Sequence, residues 1–536
     1  MGYLWQTAAD REALLKQIVK HDSITLSEGE KTFPYLVKAL LQQLDYFKQH
    51  EEQVILAPTG DGRHSVMGYY KAPASKQTIV LISHYDTVGI DDFSDYQELA
   101  FDMDAVTEAF KKDASYLDES AVEDLENDAY FFGRGSMDMK PGLMLHLSLI
   151  EKAIAESWDI NLVLLTVPDE EVNSLGMRTA MTRLNELRQA EGLEIMLHLN
   201  SEPTFQQSST DHAHYVYSGS IGKIMPSVLC YGRETHVGTP MSGVSSNFML
   251  SYINQAMEFN AQFKEHFEDE ATPLPVSLMN KDLKDYYDVQ TPFRSAALFN
   301  VFLFKQTAAD VFNTFNNIVR DAVTRCAADY NNIMAAEGVD YTIDVPVLTY
   351  EELVKEAVSQ FGQARVDEEI DNVLKTYPEL YLQNIHVVDH LLTLCKSITP
   401  AVVTFFAPPY YPAVNSSFEP LIESLVATAN ATSVREFGRE SKRLHYFNGI
   451  SDLSYAKYDA DSTSDAIYEH NTPSFNKTYH IPFDDIKANN APVLNCGPIG
   501  KDAHKVTERL NKKNAFEELP VLLETLIKEH FLVTVK

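Results

Sequence analysis

Five short stretches of the chain gather side chains that can bind a divalent cation or move a proton. Ser83-His84-Tyr85-Asp86 sets a histidine and an aspartate two positions apart. On extended chain that spacing puts both on one face, so the aspartate can orient the imidazole. Gly133-Arg-Gly-Ser-Met-Asp138-Met-Lys-Pro-Gly142 presents Asp138 from a glycine-flanked turn just before a helix start. Pro168-Asp169-Glu170-Glu171 places three acids side by side, which repel one another unless a cation is close. Asn200-Ser-Glu202-Pro-Thr204 adds another carboxylate, and Cys496-Gly-Pro-Ile-Gly500 leads to Asp502-Ala-His504. Each stretch has a plain structural reading by itself: a packed histidine, a helix cap, an exposed acidic turn. Together they offer five ligands and a spare carboxylate, the inventory for two cations held by nitrogen and oxygen with one carboxylate shared. Two such cations near one water bring its pKa from about 15.7 to near 7, so hydroxide is available at neutral pH.

The elements that would position these groups are those of an α/β fold. Val54-Ile-Leu, Ile79–Ile82, Leu162–Val167 and Glu194–Leu199 read as buried strands with helices between them. His84, the acids at 169–171 and Glu202 each follow one of these strands, and in open α/β sheets ligands collect at the carboxyl ends. A capping box of Ser27 and Glu30 opens a helix with Phe33, Leu36, Val37, Leu40, Leu41 and Leu44 on its apolar face. A second helix starts near Lys140-Pro141, with proline tolerated in the first turn. Around Ser218 the texture changes. Alternating segments (Lys223–Tyr231, Ala297–Lys305, Tyr341–Val347) mix with helical ones (Phe248–Phe263, Ala308–Ala328), as in a separate α+β domain. Residues 350–400 read as helix, Ala401–Phe406 as a buried strand and about Phe516–Phe531 as a final helix; Asp113–Asp128 reads as an acidic surface loop. The expected architecture is a mostly parallel mixed sheet flanked by helices, with a smaller α+β domain inserted. Its parts are a first catalytic segment at 1–217, the insert at 218–345, a helical extension at 346–400 of open allegiance, and a second catalytic segment at 401–536.

Composition narrows the partners. With 536 residues, 45% apolar and 23% charged, the chain has the balance of a folded protein and the length for at least two cores. A formal net charge of −33 argues against nucleic acid and anionic membrane as partners. Cys230, Cys326, Cys395 and Cys496 are scattered, which fits a reducing compartment rather than a disulfide frame. No signal-peptide core opens the chain and no apolar run reaches membrane-spanning length, so the expected location is the cytoplasm.

The motifs resemble those of the co-catalytic zinc peptidases that include aminoacylase, carboxypeptidase G and succinyl-diaminopimelate desuccinylase. The resemblance rests on His84-x-Asp86, Gly133-Arg-Gly-x-x-Asp138-x-Lys140, Asp169-Glu170-Glu171, Glu202-Pro203-Thr204 and Gly497-Pro-x-Gly500-x-x-x-His504. Gly232-x-x-x-His236-x-Gly-x-Pro240 matches the pattern of the inserted lid domain. It implies two zinc ions (Zn2+) per chain, with cobalt or manganese as alternatives. One would be held by His84 and Glu202, the other by Glu171 and His504, and Asp138 would bridge them. Asp86 would support His84, Glu170 would be the general acid/base, and His236 would polarise the scissile carbonyl. The bond after Asp138 would be cis. The implied reaction is cleavage of an amide bond in a small peptide or N-acyl amino acid by a dimetal-bound hydroxide.

Pro141 departs from the usual glycine, and both the His84–Asp138 and His236–His504 intervals are long for the family. The enlarged insert leaves monomer and homodimer open, since simple relatives take the lid histidine from a partner. The wording of His84–Val88, Ala407–Pro412 and Gly497–His504 is most like the arginine-utilization (RocB-like) branch, which implies a place in arginine or amino-acid catabolism. Arg294, Gly497 and Gly500 are candidates to grip a substrate carboxylate. The competing functions are a catalytically silent binding protein on the same fold and a metal-dependent phosphoesterase. The latter lacks a Lys/Arg-rich phosphate clamp beside these motifs. His212, His214, His386, His390, His445, His470 and His480 fall outside the pattern.

Overall fold

Eight strands of the first half and of the C-terminal quarter form one mixed sheet in a computed structural model. The structure describes residues 2–532 apart from 206, 208–210 and 212, so His212 lies outside the described residues. In chain order the strands are β1 (Val54–Pro58), β2 (His64–Tyr70), β3 (Gln77–His84), β4 (Asn161–Val167), β5 (Glu194–Asn200), β6 (His214–Tyr217), β7 (Ser441–Leu444) and β8 (Val493–Asn495). They lie in the order β1-β2-β4-β3-β5-β8-β6-β7. The run β4-β3-β5-β8 is parallel, as is β6-β7, and the remaining pairs are antiparallel. The central strands read as unbroken apolar runs because both their faces are covered. Ile79, Leu81, Leu162 and Leu164 share one core with helices α1 (Ala8–Lys20), α2 (Glu28–Leu41), α3 (Lys140–Glu156) and, near the C-terminus, Leu519–Phe531. The alternate residues Val163 and Leu165 are buried outside that core. Helix α4 (Leu175–Glu191) packs on β1, β2 and β4.

The chain divides into two compact units. The first takes Met1–Ser220, Val414–Tyr458 and Pro482–Lys536, and the second takes Ile221–Ala413 and Asp459–Ile481. The second unit holds a five-stranded sheet in the order Val276–Asp282, Arg294–Leu303, Gly222–Tyr231, Ala401–Tyr411, Val347–Thr349. Helices Tyr350–Phe361, Gln363–Thr376 and Leu380–Leu394 belong with it, because Leu353, Val366 and Leu391 share a core with Leu229, Val403 and Phe405. That fixes the allegiance left open for 346–400. The expected return at 401 is displaced to 414: Ala401–Tyr411 pairs antiparallel with Gly222–Tyr231, setting Val403 opposite Leu229. Residues 459–481 visit the second unit again, where the Tyr468 ring lies 5.1 Å from Phe406 and 4.7 Å from Tyr410.

Two local expectations change. Of Tyr341–Val347 only Val347 is in a strand, Val347–Thr349. Asp113–Asp128 contains a helix, Glu119–Glu126, whose Ala121 and Leu125 join Phe93, Val106, Phe110 and Phe132 in a small core of their own. The segment is therefore folded, with its helix packed on the strand Tyr130–Phe132 of a small three-stranded sheet.

Candidate metal centre

Strand β3 ends on His84, buried and aimed by its neighbours. His84 Nδ1 lies 3.0 Å from the Asp86 carbonyl oxygen. A carbonyl only accepts, so Nδ1 carries a hydrogen, and Nε2 is left to take a proton or to offer its lone pair to a cation. That Nε2 is 3.2 Å from Asp138 Oδ1, 3.6 Å from Glu202 Oε1 and 3.9 Å from Glu170 Oε2. On the far side of Asp138, His504 Nε2 is 3.2 Å from Asp138 Oδ2 and 3.1 Å from Glu171 Oε2. Asp138 thus offers one oxygen to each imidazole. Ligand atoms of His84, Asp138 and Glu171 all fall within 4.8 Å of one another. The five residues expected to hold cations are brought into one neighbourhood, with Glu170 beside them.

Local structure explains the convergence. Gly133 (φ 143°) and Gly135 (φ 71°) adopt backbone that a side chain would strain, and so turn the chain to present Asp138 ahead of α3. Glu508 backs that turn: one oxygen accepts from the amides of Met137 (3.3 Å) and Asp138 (3.5 Å), the other from Arg134 Nη1 (2.6 Å). Asp86 meets His84 by two routes. Its backbone carbonyl lies closest to Nδ1, and its carboxylate is 3.6 Å from the same nitrogen. That carboxylate accepts from Thr25 Oγ1 (2.9 Å) and from the amides of Glu170 (3.1 Å) and Glu171 (3.3 Å), and so aims the two glutamates. Asp169 points away. Its carboxylate meets Arg63 Nη1 at 2.7 Å, and the same guanidinium nitrogen lies 2.9 Å from Glu30. Glu30 is therefore only half of the expected capping box: its amide bonds to Ser27 Oγ, but its carboxylate turns inward.

The electrostatics are those of an anion cage. Burial first, then neighbouring carboxylates, push Glu170 and Glu202 well above the ordinary range; Glu171 rises for the same reasons, with Asp138 as its chief neighbour. Hydrogen bonding to Asp138 and Glu171 lifts His504 to about 10. Against the burial that would raise it, His504 and His84 hold Asp138 low. In this state protons on imidazole supply the counter-charge. The donor set of two imidazole nitrogens and carboxylate oxygens is that of zinc and other borderline divalent cations. A lone pair of His84 facing three carboxylates is repulsive unless a cation or proton lies between them. The residues fit a pair of cations.

Two of the other expected groups belong to the second unit. His236 sits on an exposed turn of the second unit, where its Nδ1 accepts from the Gly238 amide at 3.0 Å, leaving the hydrogen on Nε2. Arg294 begins a strand of the same unit, and its Nη1 is 2.8 Å from Asp389 Oδ2, so its charge is already paired. Gly497 and Gly500 are packing positions. A Cβ on Gly497 would come within 2.0 Å of the Glu202 carbonyl oxygen, and one on Gly500 within 2.7 Å of the Met137 side chain. The Asp138–Met139 bond is trans; the cis bonds among the described residues precede Pro400 and Pro409. Trans is favoured by roughly 3 kcal/mol for a non-proline residue.

One residue with no counterpart in the motif reading also acts on the cage. Asp452 is buried, at 1% exposure, and neither carboxylate oxygen has a hydrogen-bond partner. It raises the pKa of both Glu170 and Glu202. Its surroundings, Ile450-Ser-Asp452-Leu-Ser, carry neither ligand spacing nor a preceding strand, so no sequence signal marks it.

The pattern described as peptidase family M20/M25/M40 matches residues 99–518, a stretch that starts after His84 and Asp86. The chain is 37% identical over 532 residues to the uncharacterized protein YqjN of Bacillus subtilis (strain 168), covering 98% of this chain and 96% of that one. It is 27% identical over 533 residues to protein RocB of the same organism, covering 96% and 93%. In three dimensions it is similar to the M20 family metallo-carboxypeptidase Sso-CP2 from Sulfolobus solfataricus. That match has a TM-score of 0.54 at 12% identity over 96% of this chain and 98% of that one. It is also similar to the aminopeptidase PepT from Bacillus cereus, with a TM-score of 0.53 at 12% identity over 98% and 99%. These likenesses bear on the fold.

Proposed function

Because the chain belongs to peptidase family M20/M25/M40 and is a metal-dependent hydrolase, we propose that its cage holds two divalent cations, zinc first, and hydrolyses an amide bond. The substrate is a small peptide or an N-acyl amino acid. The observation that carries this reading is the convergence of His84, Asp138, Glu170, Glu171, Glu202 and His504 with no lysine or arginine paired to any of them among the described residues. His84 and Glu202 would hold one cation, Glu171 and His504 the other, and Asp138 both. Bound there, the cations supply Lewis acidity, which in comparable sites brings water's pKa from about 15.7 to roughly 7.

The chain's own groups do the rest. Glu170 takes the proton of the attacking water and returns it to the leaving nitrogen. Its burial among carboxylates raises its proton affinity, which suits a base that must also act as an acid. Asp86 holds the Glu170 and Glu171 amides and so fixes where both carboxylates point. The family resemblance gives His236, whose Nε2 carries the hydrogen, the part of donor to the developing oxyanion. Donors of that kind are worth roughly 2.7–4 kcal/mol. The likeness to RocB supports a place in arginine or amino-acid catabolism, and four buried, unpaired cysteines accord with the cytoplasm.

The test pairs metal analysis with one substitution. Wild-type protein should carry about two zinc ions per chain and release amine from dipeptides or acyl-amino acids. Glu170→Ala should keep the metal and lose turnover. Full activity in that variant removes Glu170 from its role. A metal-loaded protein inert across a broad panel favours the silent binding protein, and release of phosphate instead of amine favours the phosphoesterase.

A further inference from the structure

Asp452 has no part in the amide hydrolysis assigned to the cage. It starts a short turn, Asp452–Tyr455, packed against the β3 strand that ends in His84 and against α4, which follows Glu170 and Glu171. Ser451 Oγ, 2.9 Å from Ser220 Oγ, pins the residue before it. Neither Asp452 oxygen, both sealed from solvent, meets a donor at full hydrogen-bond geometry; the Ser174 hydroxyl, likewise unbonded, is the neutral group placed towards it. Burying a carboxylate without compensation is so costly that the group must either take up a proton or meet a cation. Its strongest electrostatic neighbour after burial itself is His84, and it acts on Glu202 as well as Glu170. With its turn packed on β3, which ends in His84, Asp452 stands on the His84 side of the cage. On the other side, Glu508 plays a different part, because it is bound by Arg134 and by two backbone amides.

Resting on the reading of the cage as a cation site, we propose that Asp452 is a further carboxylate of that cage, an outer anion that sets the affinity of the cation held by His84 and Glu202. The cation is the missing partner of its charge. Asp452 is a positioning residue in this assignment, since it acts on the substrate only through the cation and its ligands.

Zinc titration of the full chain against a competing chelator, combined with melting of the cation-free protein, tests this. Asp452→Asn keeps the shape and removes the charge; Asp452→Glu keeps the charge. Removing an outer partner of a metal site typically weakens binding about 10- to 100-fold. Asp452→Asn should weaken one of the two zinc-binding steps by that factor and leave the other in place. Cation-free Asp452→Asn should melt at or above the wild-type temperature, because an unpaired buried charge has gone. Asp452→Glu should retain more of the affinity than Asp452→Asn. Wild-type affinity for both zinc ions in Asp452→Asn overturns the assignment while leaving the cage reading intact. So does equal weakening of both steps with a lower melting temperature in the cation-free variant, which marks a packing role. A wild-type chain that takes up no zinc overturns both readings.

Discussion

Two acid-rich regions adjoin within the first unit, and they handle charge in opposite ways. Behind the Asp138 turn, around the strands Tyr130–Phe132, Gly500–Lys501 and Arg509–Asn511, each buried acid has a basic partner. Arg134 pairs with Asp92 at 2.8 Å and Glu508 at 2.6 Å; Arg509 meets Asp124 at 2.6 Å and also binds Asp502; Lys501 reaches Asp124 at 2.8 Å. In the cage, no lysine or arginine among the described residues pairs with Asp138, Glu170, Glu171, Glu202 or Asp452. The same chain thus supplies guanidinium where acids serve the fold and withholds it where they face one another. The counter-charge of the second region has to come from outside, and that is the physical content of a metal site.

The largest effect that sharpens this contrast is chemical. Glu170→Ala should lower turnover about 10²- to 10⁴-fold, the usual contribution of a general acid/base, with melting temperature and zinc content close to wild type. Steady-state kinetics beside metal analysis checks it. A variant that loses zinc along with activity would instead make Glu170 a ligand.

Next comes the guanidinium side. Arg134→Ala leaves Glu508 buried without its partner, and breaking such a pair costs about 3–5 kcal/mol. Denaturant unfolding should show that loss equally with and without zinc. A loss that zinc repairs would mean the two regions are not separate in their energetics.

How far the sequence discloses this contrast depends on whether a residue's partner is local. His84, Glu202 and the acids at 169–171 are legible because each follows a buried strand, and the sheet edge is where such groups meet. Arg63 is not: its carboxylates Glu30 and Asp169 come from a helix start and a distant turn, and Glu30 carries the local signature of a capping box. Asp452 leaves no trace because the groups it acts on, His84, Glu170 and Glu202, are reached only through the fold. The boundary at 401 misleads for a related reason. An apolar strand reads alike in either sheet, and only the pairing of Ala401–Tyr411 with Gly222–Tyr231 assigns it to the second unit.

Removing the cations should have a smaller effect than Arg134→Ala. A ligand at a hundred times its dissociation constant stabilises the state that binds it by about 2.7 kcal/mol. Chelation should therefore lower the melting temperature, and the drop should be smaller in Asp138→Asn, which has lost the shared ligand. An equal drop in both would place the bound metal somewhere other than the cage.

The smallest effect is a slope with pH, and its sign separates the two regions. In the cation-free protein His504 is raised to about 10 by Asp138 and Glu171, whereas an unfolded histidine titrates near 6.5. The folded state binds the extra proton, so this stability is fully present below about pH 6.5 and is lost as pH climbs through about 10. Burial lifts Asp452 to about 7, and a raised carboxyl acts in the same direction. Its contribution is present in full below about pH 4 and lost as pH rises through about 7. Asp138, held low, opposes them only below about pH 4. The melting temperature of the cation-free protein should therefore fall as pH rises from about 5 to 10. Half-exposed His504 keeps the slope shallow. Zinc replaces those protons, so its uptake should release protons, visible as a buffer-dependent heat, and should flatten the slope. In Arg134→Ala the flattening should persist, because the guanidinium-paired region lies outside the exchange of protons for cations. A melting temperature that rises with pH in the cation-free protein, or equal slopes with and without zinc, would break the comparison.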